Sequence, residues 1–205
     1  ERFPQCTTQT QVIYNPIDIA KVERMGNEKN VDNKRFTIVM TGRLTPPKKT
    51  ERFVLLAKRF KDIGRSDILF QWIGDGELRS TMEQQIHDLE VEDMVQILGF
   101  KRNPFPYVKS ADMMFCCSGY EGFCLAICEA MVLGVPVVST KTSGPIEIID
   151  NDKYGILCDH DEESMFNAVL TMVNDADLRR HYAMVGKERV KKYAAEECMK
   201  QIYLL

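Results

Sequence analysis

Two carboxylates, Glu121 and Glu129, stand eight positions apart in the stretch Ser-Gly-Tyr-Glu-Gly-Phe-Cys-Leu-Ala-Ile-Cys-Glu-Ala-Met-Val-Leu-Gly-Val-Pro-Val-Val, which runs from Ser118 to Val138. The Gly-Phe step between them reads as a helix start, which would set the carboxylates about 12 Å apart at the helical rise. That is too wide for two carboxylates sharing one bond, as most glycoside hydrolases require. It suits hydroxyls on two rings of one elongated ligand, because carboxylates are strong acceptors for sugar and ribose hydroxyls. The N–H groups of Gly122, Phe123, Cys124 and Leu125, orphaned at a helix start, would seat phosphate oxygens between the two. Glu129 lies among Ile127, Ala130, Met131 and Leu133. A buried, unpaired carboxylate is costly, so Glu129 is expected to face a cleft.

A second group of residues offers positive charge. Arg43 and Lys48 flank the turn Leu44-Thr45-Pro46-Pro47 between an apolar run and an amphipathic one. A guanidinium and an ammonium at a strand end, beside a helix N-terminus, suit a diphosphate. A solvated loop is the plainer alternative in a chain with 27 basic residues, and Lys49 and Arg52 can equally face water. Gly74-Asp75-Gly76 serves either a ligand contact or a tight turn. No Gly-x-Gly-x-x-Gly follows any predicted strand, which weakens a nicotinamide or flavin role.

The elements that must position these groups follow from periodicity. Residues 36–41 (Phe-Thr-Ile-Val-Met-Thr) predict a buried strand, followed by a helix with Phe53, Leu56, Ala57 and Phe60 on one face. Further strands are predicted over 67–73, 95–98, 112–117, 135–139 and 154–158, with a polar helix carrying Leu78, Met82, Ile86 and Leu89 on one side. Strands alternating with helices argue for an α/β fold, a doubly wound parallel sheet covered on both faces. Ligands of such sheets bind outside the carboxyl ends of the strands, where Arg43, Lys48, Gly74, Phe100, Lys101 and Glu121 all fall. Residues 11–15 read as a short strand, and 20–34 as polar linker and surface turn. The organisation expected is a lead-in segment and linker over 1–34, a ligand-binding domain over 35–175 and a helical tail over 176–205. The helices from 162 to 203 should number two, divided near Asn174-Asp175.

Composition narrows the function classes. A formal net charge of −3 does not suggest a nucleic-acid binder. Seven cysteines, several in apolar runs, read as reduced and packed, pointing to a cytoplasmic protein. Cys124 and Cys128 can share a helix face, but only His87, His160 and His181 accompany them, with no second paired spacing. The core reading is preferred and no metal is expected. No apolar run approaches the roughly 20 residues of a membrane span. The chain starts Glu1-Arg2-Phe3 without methionine, which suggests a piece of a longer protein.

The combination of Ser118–Met131, Gly134-Val135-Pro136-Val137-Val138 and Ser143-Gly144-Pro145-Ile146-Glu147-Ile148-Ile149 resembles the donor half of retaining GT-B-fold glycosyltransferases, the group 1 family that includes sucrose-synthase-like and lipopolysaccharide-type enzymes. The family's Glu-x7-Glu corresponds to Glu121 and Glu129. Its Thr-Gly-Arg-Leu-(x)3-Lys corresponds to Thr41–Lys48, and its Asn-x-x-Asp to Asn15–Asp18. Two positions depart from the pattern: Cys124 replaces a glycine or proline, and Lys49 replaces a glycine.

The resemblance implies roles. Arg43 and Lys48 would hold the donor diphosphate and stabilise the leaving group. Glu121 would meet the transferred sugar, Gly122–Leu125 the sugar and phosphate, Glu129 the ribose, and Phe100 with Lys101 the base. The implied reaction retains anomeric configuration, uses a nucleotide-sugar donor, a UDP-sugar by family frequency, and needs no cofactor or metal. The implied partner is an N-terminal acceptor domain of the same parent protein, on which the helical tail over 176–205 would pack back, with the parent at the inner face of the cytoplasmic membrane. Alone, this half is expected to bind donor weakly and transfer little or nothing. A non-catalytic nucleotide-sugar-binding module and a GT-B 2-epimerase are the competing readings. A receiver domain fails because the first strand ends in Gly-Arg rather than an acidic cluster.

Overall fold

The computed structural model describes residues 12–203. Six strands, β1 (Phe36–Thr41), β2 (Ile68–Ile73), β3 (Val95–Gly99), β4 (Met113–Cys116), β5 (Val137–Thr140) and β6 (Ile156–Cys158), form one sheet in the order β3-β2-β1-β4-β5-β6. Every pairing is parallel, so both faces must be covered, and β1, β2, β4 and β5 are apolar enough to be covered on both. The six strands predicted from residue 36 onward all form, each within one or two residues of its expected ends. The strand order reverses between β1 and β4, and the crevice outside their carboxyl ends is where a doubly wound sheet binds ligand.

The helices are α1 (Ile19–Gly26), α2 (Thr50–Asp62), α3 (Arg79–Asp88), α4 (Phe105–Lys109), α5 (Leu125–Val132), α6 (Ser143–Ile149), α7 (Glu162–Asn174), α8 (Ala176–Val190) and α9 (Ala195–Tyr203). The predicted α2 face is realised, with Phe53, Leu56, Ala57 and Phe60 buried. Phe53 meets Phe70 and Trp72 edge-on at 5.4 and 5.3 Å. Such pairs contribute roughly 0.5–1.5 kcal/mol beyond the area they bury.

Three expectations are corrected. Residues 12–16 form no strand, and residue 11 lies outside the described residues; Ile17 instead makes an isolated parallel bridge with Ala194. The segment read as linker contains α1, because Asp18 accepts from Lys21 N–H at its N-cap and Val22 and Gly26 on one face are buried. Within the tail, α8 packs along α5, burying Tyr182, Gly186 and Val190. The tail is also divided a second time, by a 3-10 turn at Lys191–Tyr193, so three helices replace the expected two. Tyr193 is fully buried and ends that turn against the Ile17 bridge, with Ile17 N–H donating to its carbonyl at 2.8 Å.

Candidate active site

At the switch point, the loop after β1 and the loop after β4 are locked together. After Thr41 the chain passes over Gly74 with no room to spare: a Cβ on Gly74 would lie 2.0 Å from the Gly42 carbonyl oxygen. Gly42 N–H donates to the Ile73 carbonyl and Leu44 N–H to that of Asp75, while the fully buried Trp72 indole donates to the Gly42 carbonyl at 2.9 Å. Gly74 therefore supports the basic loop from below, and its own N–H is spent on the Gly99 carbonyl. From the other side, Gly119 N–H donates to the Pro47 carbonyl at 2.8 Å, and the Cys117 thiol lies 3.4 Å from the Lys48 carbonyl.

This framework brings Lys48 and Glu121 together. Lys48 Nζ donates to Glu121 Oε1 at 2.6 Å, and the two side chains are only 20% and 12% exposed. Ser118 Oγ donates to the same oxygen at 2.6 Å. Burial works against the Lys48 ammonium, but the hydrogen bond and the charge of Glu121 outweigh it, and its pKa lies above the ordinary lysine value. Ser118 is fully buried, and its carbonyl accepts from the Thr140 hydroxyl at 2.6 Å, which fixes it to β5. Sequence reasoning did not assign Ser118 or Thr140 a role; a serine immediately after a strand and three residues before the carboxylate was the available signal. Arg43 is exposed and, among the described residues, its guanidinium makes no ion pair.

The helix following Glu121 begins later than expected. α5 starts at Leu125, and Cys124 caps it in the left-handed region (φ 68°) without a side-chain hydrogen bond. Among the described residues, the N–H groups of Gly122, Phe123, Cys124, Leu125 and Ala126 find no acceptor, the next amide, Ile127, donating to the Cys124 carbonyl. Five successive free donors at a helix start make a strong anion seat. The loop is held from behind by Gly144, whose N–H donates to the Glu121 carbonyl at 3.2 Å and where a Cβ would lie 2.4 Å from the Phe123 oxygen. A Cβ on Gly122, by contrast, would meet no protein atom within 4 Å. The Phe123 ring is occupied by packing, 5.9 Å from Tyr14 and 5.1 Å from Tyr193, so what it offers the site is its N–H. The hydroxyl of Thr142, buried beside this loop at the start of α6, has no partner.

Glu129 is half-buried on α5 with no side-chain partner among the described residues, and burial pushes its pKa up to about 7. Phe100 is 78% exposed at the end of β3, and Lys101 lies 5.7 Å from the Tyr107 ring. Leu125 is exposed at the first position of α5. Both departures from the family pattern prove to be left-handed residues, Lys49 at φ 53° and Cys124 at φ 68°. Glycine is favoured at such positions because it has no Cβ to clash, and the loop turns as the pattern requires despite their side chains. A groove of ≈ 420 Å³ between α2 and the start of α7, near Leu55 and His160, contains none of the predicted site residues. A smaller hollow of ≈ 230 Å³ lies beside Gly122, Phe123 and Gly144.

Comparison with known proteins shows the family and the fold. The family model described as "Glycosyl transferases group 1" matches residues 21–189. The chain is 29% identical over 195 residues to a Campylobacter jejuni N-acetylgalactosaminyltransferase acting on a diphospho-undecaprenol glycan, covering 94% of this chain and 52% of that protein. It is 27% identical over 240 residues to an uncharacterised glycosyltransferase of Methanocaldococcus jannaschii, covering 99% of this chain and 59% of that one. The chain thus spans 52–59% of the length of these relatives. Among solved structures, Staphylococcus aureus TarM in complex with UDP superposes with a TM-score of 0.82 at 22% identity, over 97% of this chain and 40% of TarM. Anabaena HepE in complex with UDP gives 0.80 at 22% identity, over 94% of this chain and 56% of HepE. The chain folds as the GT-B glycosyltransferases do, and it belongs to the glycosyl transferases group 1 family.

Proposed function

We propose that the chain is the donor-binding half of a retaining glycosyltransferase that moves a hexosyl or N-acetylhexosaminyl group from a nucleotide-diphosphate sugar to a glycan or lipid-linked acceptor. One observation carries this reading: five unpartnered N–H groups, Gly122 to Ala126, follow directly on a carboxylate, Glu121, that is already paired to Lys48 of the loop after β1. The N–H groups and Lys48 take the diphosphate, and the exposed Arg43 adds its charge from the facing loop. As the bond from the anomeric carbon to the β-phosphate oxygen breaks, negative charge collects on the departing diphosphate. Donors already in place stabilise that charge without reorganising, which is usually the largest catalytic contribution. Glu121, fixed by Ser118 and Lys48, accepts from hydroxyls of the transferred sugar. Glu129 accepts from the ribose hydroxyls, and Phe100 and Lys101 lie toward the base. In this reading protein cations and amide dipoles neutralise the diphosphate, so no cofactor or metal is required.

The nucleotide is taken to be UDP, in line with the UDP complexes of TarM and HepE. A lipid-linked acceptor, as in the Campylobacter relative, would place the parent protein at the inner face of the cytoplasmic membrane. Among the described residues no helix is long and apolar enough to cross a membrane. The acceptor side of the reaction is assigned to an N-terminal domain of the parent, so the isolated chain binds donor and transfers nothing. Detectable transfer by this chain alone to an added acceptor refutes that part.

Trp72 supplies the test of donor binding, because its indole is tied to the Gly42 carbonyl beneath the basic loop. Titration with UDP, GDP and their sugars should change its fluorescence saturably for one nucleotide. Lys48→Met should weaken that binding roughly 10–100-fold, the value of about 1.5–3 kcal/mol for a hydrogen bond to a charged group. No response to any nucleotide, by fluorescence or calorimetry, would end the reading.

A further inference from the structure

Beneath the proposed sugar position lies a cluster whose two thiols the transfer chemistry does not use. The Cys116 and Cys124 sulfurs are 3.8 Å apart, and the two thiols and a Glu121 carboxylate oxygen lie within 4.8 Å of one another. The sequence offered Cys124 and Cys128 as the pair to consider. The left-handed cap at Cys124 breaks the helical spacing and places its sulfur on Cys116 at the end of β4 instead. Holding a non-glycine residue in that conformation costs about 1–2 kcal/mol, so this sulfur is kept in position against a local conformational penalty. The other neighbours of the cluster are the Ser118 hydroxyl, 3.6 Å from Cys116 Sγ, and the Lys48 ammonium on Glu121.

We propose that Cys116, Cys124 and Glu121 form a binding site for a thiophilic divalent cation such as Zn²⁺, and that its occupation opposes donor binding. Two thiolates on a tetrahedral zinc, each at about 2.3 Å, stand about 3.8 Å apart, which is the separation already present. Glu121 supplies the third ligand, and the fourth position is left to water. Binding releases the two thiol protons without any change of oxidation state.

The consequence for the site is electrostatic. A dication with two thiolates and one carboxylate carries one net negative charge, set where the sugar diphosphate would approach. Glu121 is withdrawn from sugar hydroxyls, and Lys48 is drawn toward the anionic cluster. This second half of the proposal rests on the donor-site reading; the existence of the cation site does not.

The test separates the two. Under a phosphine reductant and without nucleotide, Co²⁺ titrated into the chain should give a thiolate-to-cobalt charge-transfer band at one equivalent. Cys124→Gly, which relieves the left-handed strain and so should fold, should abolish it, and Cys116→Ser should do the same. Absence of the band, or its survival in Cys124→Gly, would overturn the site. UDP affinity is then measured with and without Zn²⁺. A weakening of at least tenfold in the parent chain, absent in Cys124→Gly, supports the opposition, whereas unchanged or tighter UDP binding overturns it. A cobalt band in a chain that binds no UDP even without metal would support the cation site and refute the donor reading.

Discussion

Two pairs of helices in this domain begin in different ways. At the outer side of the sheet, α7 and α8 start behind Asp161 and Asp175, whose carboxylates accept from the Ser164 and Leu178 amides. At the switch point, α2 and α5 start behind Lys49 and Cys124, both left-handed and neither making a side-chain cap. An aspartate cap satisfies an orphan donor and contributes about 1 kcal/mol, so leaving α5 uncapped sacrifices stability. It also keeps a full set of N–H groups and the positive end of the helix dipole free of any protein anion. The α7 and α8 starts are closed by their own carboxylates, whereas in the donor-site proposal the α5 start is closed by the bound diphosphate.

Substitutions can break this contrast. The largest effect should come from the two glycines on either side of the α5 loop. Gly144→Ala drives a methyl into the Phe123 backbone, for which no flexible side chain can give way, and should cost about 1–3 kcal/mol or more in urea unfolding. Gly122→Ala meets no protein atom, so stability should hold to within about 0.5 kcal/mol while UDP binding weakens. Equal effects of the two on stability would show that the loop is shaped by its own packing alone.

Glu129 gives an effect of similar or slightly smaller size, with a definite pH window. Its pKa is raised from 4.5 to about 7 in the folded protein, so between those values the folded state holds more protons than the unfolded chain. Stability from this group is complete below pH 4.5 and is lost as pH rises through about 7. Discounted for partial exposure, the loss is about 1–3 kcal/mol. Glu129→Gln should therefore be stabilised relative to the parent at pH 8 and not at pH 4, by denaturant titration at both. Ribose hydroxyls donating to Glu129 would favour its ionised form, so UDP binding near pH 6.5 should release more protons in the parent than in Glu129→Gln, where only the terminal phosphate of UDP contributes. Calorimetry in buffers of different ionisation enthalpy reads that difference.

The outer helix start should behave conversely. Asp161→Ala removes the α7 cap and should cost about 1 kcal/mol of stability with no change in UDP affinity. Smallest is Lys49→Gly, which relieves the left-handed backbone at the α2 start and should change stability by less than about 1 kcal/mol.

Much of this was legible from residue patterns, for reasons that differ by region. The strands were readable because β-branched and apolar runs bounded by glycine have few other uses, and their alternation with helices dictated a parallel sheet. α1 was missed because its apolar positions are few and its surroundings polar; only the Asp18 cap and burial of Val22 make it a helix. The packing of α8 was not legible, because a pattern shows that it has an apolar face but not that α5 covers it. At the site, the types and positions of Lys48 and Glu121 announced a charged crevice, but their direct pairing depends on the Pro46-Pro47 turn bringing two distant loops together. The Cys116–Cys124 contact was hidden, because a left-handed cap obeys neither helical nor strand spacing.

The role proposed for the start of α5 is to bind the diphosphate of the donor. The direct measurement is the amide ¹H–¹⁵N spectrum of the chain, titrated separately with UDP and with uridine. UDP should shift the amides of Gly122 through Ala126 together, and uridine should leave them in place while moving residues near Phe100. If UDP leaves those five amides unmoved, or shifts instead the starts of α7 and α8, the central claim is wrong.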